Sequence, residues 1–197
     1  DALLMLTDAF PSRHLFIGEA FVPSGNHASY PPHRHDFDNL PVEVDMENLM
    51  VVAEAGVTME TMLRTVESKG LLFPPHPGDE GAQVGGVIAC NAGGSRAVKY
   101  GIVRNYVKGL EIVLPTGEIV TMGGKLLKNN TGLDLMHLII DSEGILGIIT
   151  KATMRLYPKF GATATLVISF DDRRKAIGMV PKILQAGIIP LAIEYTE

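Results

Sequence analysis

Seven glycines, Gly78, Gly81, Gly85, Gly86, Gly93, Gly94 and Gly101, crowd one short stretch of this 197-residue chain and make up a third of its 21. A run so poor in Cβ atoms is disfavoured as a long helix or strand. It suits positive φ and the close approach of a second backbone or a flat ligand. The stretch is entered through Leu71–Pro77 (LLFPPHP), whose three prolines remove donors and hold the backbone extended. Successive amides in such loops form concave nests that fit phosphate oxygens. The spacing is neither G-x-G-x-x-G nor G-x-x-x-x-G-K-[ST], so neither a Rossmann site nor a P-loop is indicated. Taken alone, the stretch leaves two readings open: tight turns between strands, or a cradle for a ligand.

The rest of the chain reads as mixed α and β. Met50–Ala55 is a short apolar run expected to be a buried strand. A helix follows over Thr58–Lys69, capped by Thr58, with Met59, Met62, Leu63 and Val66 on one stripe and Gly70 as its left-handed stop. Gly109–Leu114 and Glu118–Met122 flank Pro115-Thr116-Gly117 and predict a hairpin. Leu133–Ile140 predicts a short helix with Leu135, Leu138 and Ile139 on one face. Alternation over Ile148–Tyr157 predicts a half-buried strand. The last part predicts a strand at Thr163–Phe170, a helix at Asp172–Ala186 interrupted by Pro181 and stopped by Gly187, and a strand at Ile188–Tyr195. A βαβ unit that small cannot cover both its faces alone.

Further motifs stand in order around the glycines: Pro74-Pro75-His76-Pro77-Gly78, Gly85-Gly86-Val87-Ile88-Ala89-Cys90-Asn91-Ala92-Gly93-Gly94, Lys99-Tyr100-Gly101, Gly123-Gly124-Lys125, Asn130-Thr131-Gly132-Leu133-Asp134-Leu135, and Ser142-Glu143-Gly144-Ile145-Leu146-Gly147-Ile148-Ile149-Thr150. Together they resemble the FAD-linked oxidase family of glycolate oxidase and D-lactate dehydrogenase subunits, with its vanillyl-alcohol-oxidase (PCMH-type) FAD domain. The resemblance runs closely over about Val42–Pro158.

It implies an α+β fold of two FAD-binding subdomains, expected at 1–70 and 71–160, with 161–197 opening a cap-like βαβ domain. It implies FAD as cofactor. Pro77, Gly78, Gly85, Gly86, Ala89, Cys90, Asn91, Ala92, Gly93 and Gly94 would line the flavin and diphosphate, mostly through main-chain groups. Glu143, Gly144, Gly147, Ile148 and Ile149 would hold the ribityl and adenine portions. Bound flavin would accept a hydride from a 2-hydroxy acid such as glycolate or D-lactate. In place of the family's basic, glycine-rich first loop this chain has Gly18-Glu19-Ala20-Phe21-Val22-Pro23-Ser24-Gly25-Asn26-His27. The family's cap and its base lie beyond the residues matched, so no catalytic residue is assigned. A second chain is expected to supply the substrate domain, and self-association is expected. The alternative is a non-catalytic assembly subunit that keeps the fold and works through protein contacts.

Composition removes other classes. A net charge of −5 without a basic run argues against a nucleic-acid partner. Apolar runs are too short for a membrane helix, and no leader opens the sequence. A single cysteine, Cys90, suits a reducing cytoplasm and is expected to be buried beside the flavin. His33, His35, Asp36 and Asp38 read as a solvated loop rather than a metal site, since no second ligand pair completes it. The Asp141–Gly144 segment has no G-x-S-x-G elbow, which removes a serine hydrolase.

Overall fold

A computed structural model describes residues 2–3, 19–20 and 41–196, and the chain divides into two units, Asp1–Asp38 and Asn39–Glu197. In the first unit, β1 (Ala2–Leu3) pairs antiparallel with β2 (Glu19–Ala20). The His33–Asp38 group, and the Gly18–His27 segment apart from Glu19 and Ala20, lie outside the described residues.

The second unit opens on a hairpin of β3 (Val42–Asp45) and β4 (Met50–Glu54). Its turn is held by Asp45, whose carboxylate accepts the Asn48 backbone N–H at 2.9 Å and the Asn48 side-chain amide at 3.0 Å. Helix α1 (Met59–Ser68) follows as expected. The Thr58 Oγ1 accepts the Thr61 N–H, Gly70 takes φ +72°, and Met59, Met62, Leu63 and Val66 are buried. Then come β5 (Leu71–Leu72), α2 (Val84–Ala89), α3 (Ala97–Tyr100), a 3-10 turn at Val103–Asn105, β6 (Val107–Val113) and β7 (Ile119–Gly123). The series closes with α4 (Met136–Ile139), β8 (Ile148–Arg155), β9 (Tyr157–Pro158) and α5 (Arg173–Gln185). The Pro115-Thr116-Gly117 turn joins β6 to β7 with Gly117 at φ +87°.

Five strands form one antiparallel sheet in the order β3-β4-β8-β6-β7, and β5 pairs with β9 in a second, two-stranded one. Central β8 joins the early hairpin to the late one. Gly70, where two subdomains were expected to meet, lies between α1 and β5 inside this unit, and the sheet takes strands from both sides of it. The apolar stripe of α1 and Val84, Val87 and Ile88 of α2 share one core with Val51, Ala53, Leu110, Ile112, Ala152 and Met154 of the sheet. Opposite-facing residues of the same strands, such as Glu111 and Lys151, stand directly across from each other.

The glycine-rich run, for which turns were one of two readings, carries helix α2 through Gly85 and Gly86. Three expectations need correction. The helix at Leu133–Ile140 shrinks to one turn, leaving Leu135 and Leu138 exposed, so that of the expected face Ile139 alone is in the core. Thr163–Phe170 and Ile188–Tyr195 form no strands, although α5 forms with Asp172 as its cap. Period-2 apolar patterning selects a strand only where another strand accepts its backbone groups. No such partner stands beside either run among the described residues.

Two predictions follow from this packing. Met62 is fully buried on the α1 stripe, so Met62→Ala should lower unfolding stability by about 3 kcal/mol in denaturant titration. Burial, reinforced by the neighbouring Tyr157 and Tyr100, pushes the Tyr106 phenol up to about 12, while its O–H donates to the Tyr100 carbonyl at 2.9 Å. A folded-state value above the unfolded one, about 10, means stability fully present below that pH and lost as pH rises through the folded value. Tyrosinate absorbance should therefore show a late ionisation coincident with alkaline unfolding, and Tyr106→Phe should remove it.

Candidate functional site

The glycine-rich segment is fastened to the sheet before it reaches α2. Met59 and Glu60 donate their backbone N–H to the Ala82 and Glu80 carbonyls, each at 2.8 Å, and Val84 and Gly85 donate to Val57 and Ala55, also at 2.8 Å. Gly85 thus lies against the end of β4, where a Cβ would come 2.7 Å from that of Ala55. Two amides at the start of α2 are consumed in this attachment and are closed to any phosphate.

The far end of α2 is capped by the chain itself. Cys90 is its C-cap, and Asn91 takes φ +48°. The Asn91 N–H donates to the Ile88 carbonyl at 3.0 Å and the Ala92 N–H to that of Val87 at 2.9 Å, a Schellman arrangement with asparagine in the left-handed position. Asparagine tolerates that conformation better than most residues. Its Oδ1 accepts the Arg104 backbone N–H at 3.0 Å.

A second loop docks on this end. Glu143 donates its backbone N–H to the Ala89 carbonyl at 3.0 Å. Arg104 Nη2 donates to the Ile140 carbonyl at 3.2 Å, and the same nitrogen stands 3.5 Å from the Asp141 carboxylate. Asp141, Glu143 and Gly144 all have positive φ, at 73°, 52° and 82°. Left-handed non-glycine residues are costly and collect where surroundings over-determine them, often at ligand sites. Two polar atoms of the cluster, Arg104 Nε and Ser142 Oγ, are buried without a hydrogen-bond partner.

Ala89, Cys90, Asn91, Ala92, Glu143 and Gly144 are thereby brought to one place. Pro77 joins Gly94, since a Cβ on Gly94 would overlap the His76 carbonyl and touch Pro77. The remaining residues differ. Gly147 abuts the Val113 carbonyl, Ile148 pairs with Val113 along β6, and the Ile149 side chain belongs to the core. Cys90 is exposed, contrary to expectation, because a C-cap points its side chain away from the apolar face of so short a helix. Arg104, Asp141 and Ser142 were missed in the sequence. Arg104 stands thirteen positions after its partner Asn91, a spacing with no local signature.

The glycines sort into two sets. Gly85, Gly94 and Gly101 are required by the chain's own packing. At Gly78, Gly86 and Gly144 an added Cβ would meet nothing within 4 Å. Glycine with open space before it is what a backbone approached by a flat ligand requires. The FAD binding domain family matches residues 36–123. The chain carries an FAD binding domain. Residues 2–59 also match the KduI/IolB family, and the two matches overlap at residues 36–59.

A D-lactate dehydrogenase of Archaeoglobus fulgidus is 46% identical over 156 residues, covering 79% of this chain and 35% of that protein. The glycolate oxidase subunit GlcD of Bacillus subtilis is 43% identical over 160 residues, 81% of this chain and 34% of its own length. A probable mitochondrial D-2-hydroxyglutarate dehydrogenase of Oryza sativa subsp. japonica is 40% identical over 170 residues, 79% and 30% of the two chains. This chain spans about a third of the length of these relatives. Among the described residues no helix is long and apolar enough to cross a membrane, and no cluster of three or more metal-ligating side chains occurs.

The two sets of glycine in this flavin-binding domain predict different failures. Gly94→Val should lower the melting temperature by several degrees, because the His76 loop must move away. Gly86→Val should leave melting nearly unchanged while abolishing FAD uptake. Thermal denaturation and fluorescence of released flavin measure the two effects separately.

Proposed function

We propose that this chain holds FAD for an oxidoreductase acting on a 2-hydroxy acid such as glycolate or D-lactate. The observation that carries the reading is the docking of the Glu143 loop on the end of α2, where left-handed Asn91 and Glu143 meet, in a chain related to D-lactate dehydrogenase and glycolate oxidase proteins. Pro77, Gly78, Gly86 and Ala89–Gly94 would hold the flavin and diphosphate through main-chain groups, and Glu143 and Gly144 the ribityl side. Gly85 supports them by fixing α2 to Ala55. Gly147, Ile148 and Ile149 act through the backbone that leads from the Glu143 loop into β8.

FAD, when bound, supplies a hydride acceptor for the hydroxyl-bearing carbon. This chain's residues bind and orient it, and Asn91 and Arg104 keep the two loops together. The base and most of the substrate pocket are assigned to protein beyond these residues, either more of the same polypeptide or a second chain. Residues 161–197 open that part. Their exposed Leu166, Val167, Ile188 and Ile189 suit burial against it, or against a second copy. A cytoplasmic location suits the free, exposed thiol of Cys90.

The test is the colour of the protein. The purified chain should take up FAD stoichiometrically and turn yellow. Anaerobic glycolate or D-lactate should bleach it only when the substrate part is present. A chain that takes up no FAD overturns the reading. Bleaching that remains absent with the complete assembly overturns the 2-hydroxy-acid assignment alone.

A further inference from the structure

Away from the α2 loops, the two edges of the five-stranded sheet are built differently. β3, at one edge, carries Glu43 and Asp45, and both carboxylates hold the Lys125 Nζ at 2.9 Å. Charged side chains on an edge strand discourage the addition of further strands. β7, at the other edge, runs Ile119-Val120-Thr121-Met122-Gly123, with no charge and no proline. Among the described residues no strand pairs with its outer side.

The hydrogen-bond phase of β7 fixes which groups face outward. Leu114 donates its backbone N–H to the Glu118 carbonyl at 2.9 Å, and Gly124 donates to the Lys108 carbonyl at 2.8 Å. In an antiparallel pair, residues that exchange bonds alternate with residues that do not. Between those two bonded positions, Val120 and Met122 therefore turn their main-chain groups to β6. Ile119, Thr121 and Gly123 turn theirs away from it. The side chains divide the same way: Val120 and Met122 pack against the core, while Thr121 is exposed and Ile119 is 69% exposed.

Such an edge is complementary to itself. Two-fold pairing about Thr121 lets its N–H and C=O bond those of the same residue in a second copy. It sets Ile119 opposite Gly123 of that copy, where no side chain obstructs it, and Glu118 opposite Gly124, so no like charges are opposed. Threonine then faces threonine, a favourable cross-strand pair. From this we infer that the outer edge of β7 is a self-association surface, through which two copies of this chain join their five-stranded sheets edge to edge. A seam of five residues per copy is small for a specific interface, so the dimer forms reversibly with concentration. The inference is independent of flavin binding.

The test is sedimentation velocity of the full chain over a range of concentrations, with amide hydrogen exchange read on the same samples. The unaltered chain should pass from monomer to dimer. The Ile119 and Thr121 amides should exchange more slowly in the dimer, while those of Val120 and Met122 stay protected in both states. Thr121→Lys, which sets two ammonium groups face to face, should weaken the dimer by about tenfold or more. It should leave the melting temperature unchanged, since Thr121 is exposed. Mixing Thr121→Lys with Thr121→Glu should restore the dimer, and Val167→Lys, in the exposed run after β9, should leave it intact. A chain that is monomeric at every concentration overturns the surface, as does a dimer whose Ile119 and Thr121 amides exchange as in the monomer. So does a dimer that withstands Thr121→Lys, or one that Val167→Lys dissolves. Exchange measured on the unaltered protein keeps the result independent of how the variants fold.

Discussion

The pairing of β8 with two strands at once is what the rest of this domain depends on. On one edge it meets β4, with Ala53 opposite Ala152; on the other it meets β6, with Leu110 opposite the same Ala152. That one strand closes a chain separation of about a hundred residues and gives α1 and α2 a common apolar floor. Small Ala53 and Ala152 at its centre let the helices approach, while Met59, Met62 and Met154 of the same core fill the volume around them. Methionine is well suited to such irregular space.

The glycines are better understood against that floor. Their crowding suggests a single cause, a ligand gripped by backbone, yet the structure divides the labour. Gly85 and Gly94 permit protein to pack on protein, bringing α2 to Ala55 and the Ser95 turn to His76. Gly78, Gly86 and Gly144 leave room beyond the chain. The first set builds the shape and the second keeps it open. A domain that must present backbone to a flat cofactor needs both. The positive φ of Asn91, Asp141 and Glu143 shows the same demand met by residues for which the conformation is unfavourable.

The elements legible beforehand were those whose signals are local. Thr58, the stripe from Met59 to Val66 and Gly70 define α1 without reference to anything else, and Pro115-Thr116-Gly117 defines the β6–β7 turn. What misled was patterning that needs a partner. Leu135 and Leu138 have helical spacing but no surface to bury against, and Leu166 to Ile168 have strand character but no neighbouring strand. The proposed site was partly legible for the same reason. Glycines announce themselves in the sequence, whereas Arg104 and Asp141 become relevant only because folding places Arg104 between Asn91 and Asp141.

The amino-acid order by itself determined where the chain can turn, where a helix must start and stop, and that backbone poor in Cβ atoms lies between Pro77 and Gly94, since these depend on φ preferences and on the presence or absence of a Cβ. Only the tertiary structure decided which glycines face the protein and which face open space, that the Glu143 backbone rests on the Ala89 carbonyl of α2, and that Lys159 pairs with Glu67 ninety-two positions away. Those outcomes rest on distances between segments far apart in the chain, and no local preference encodes a distance.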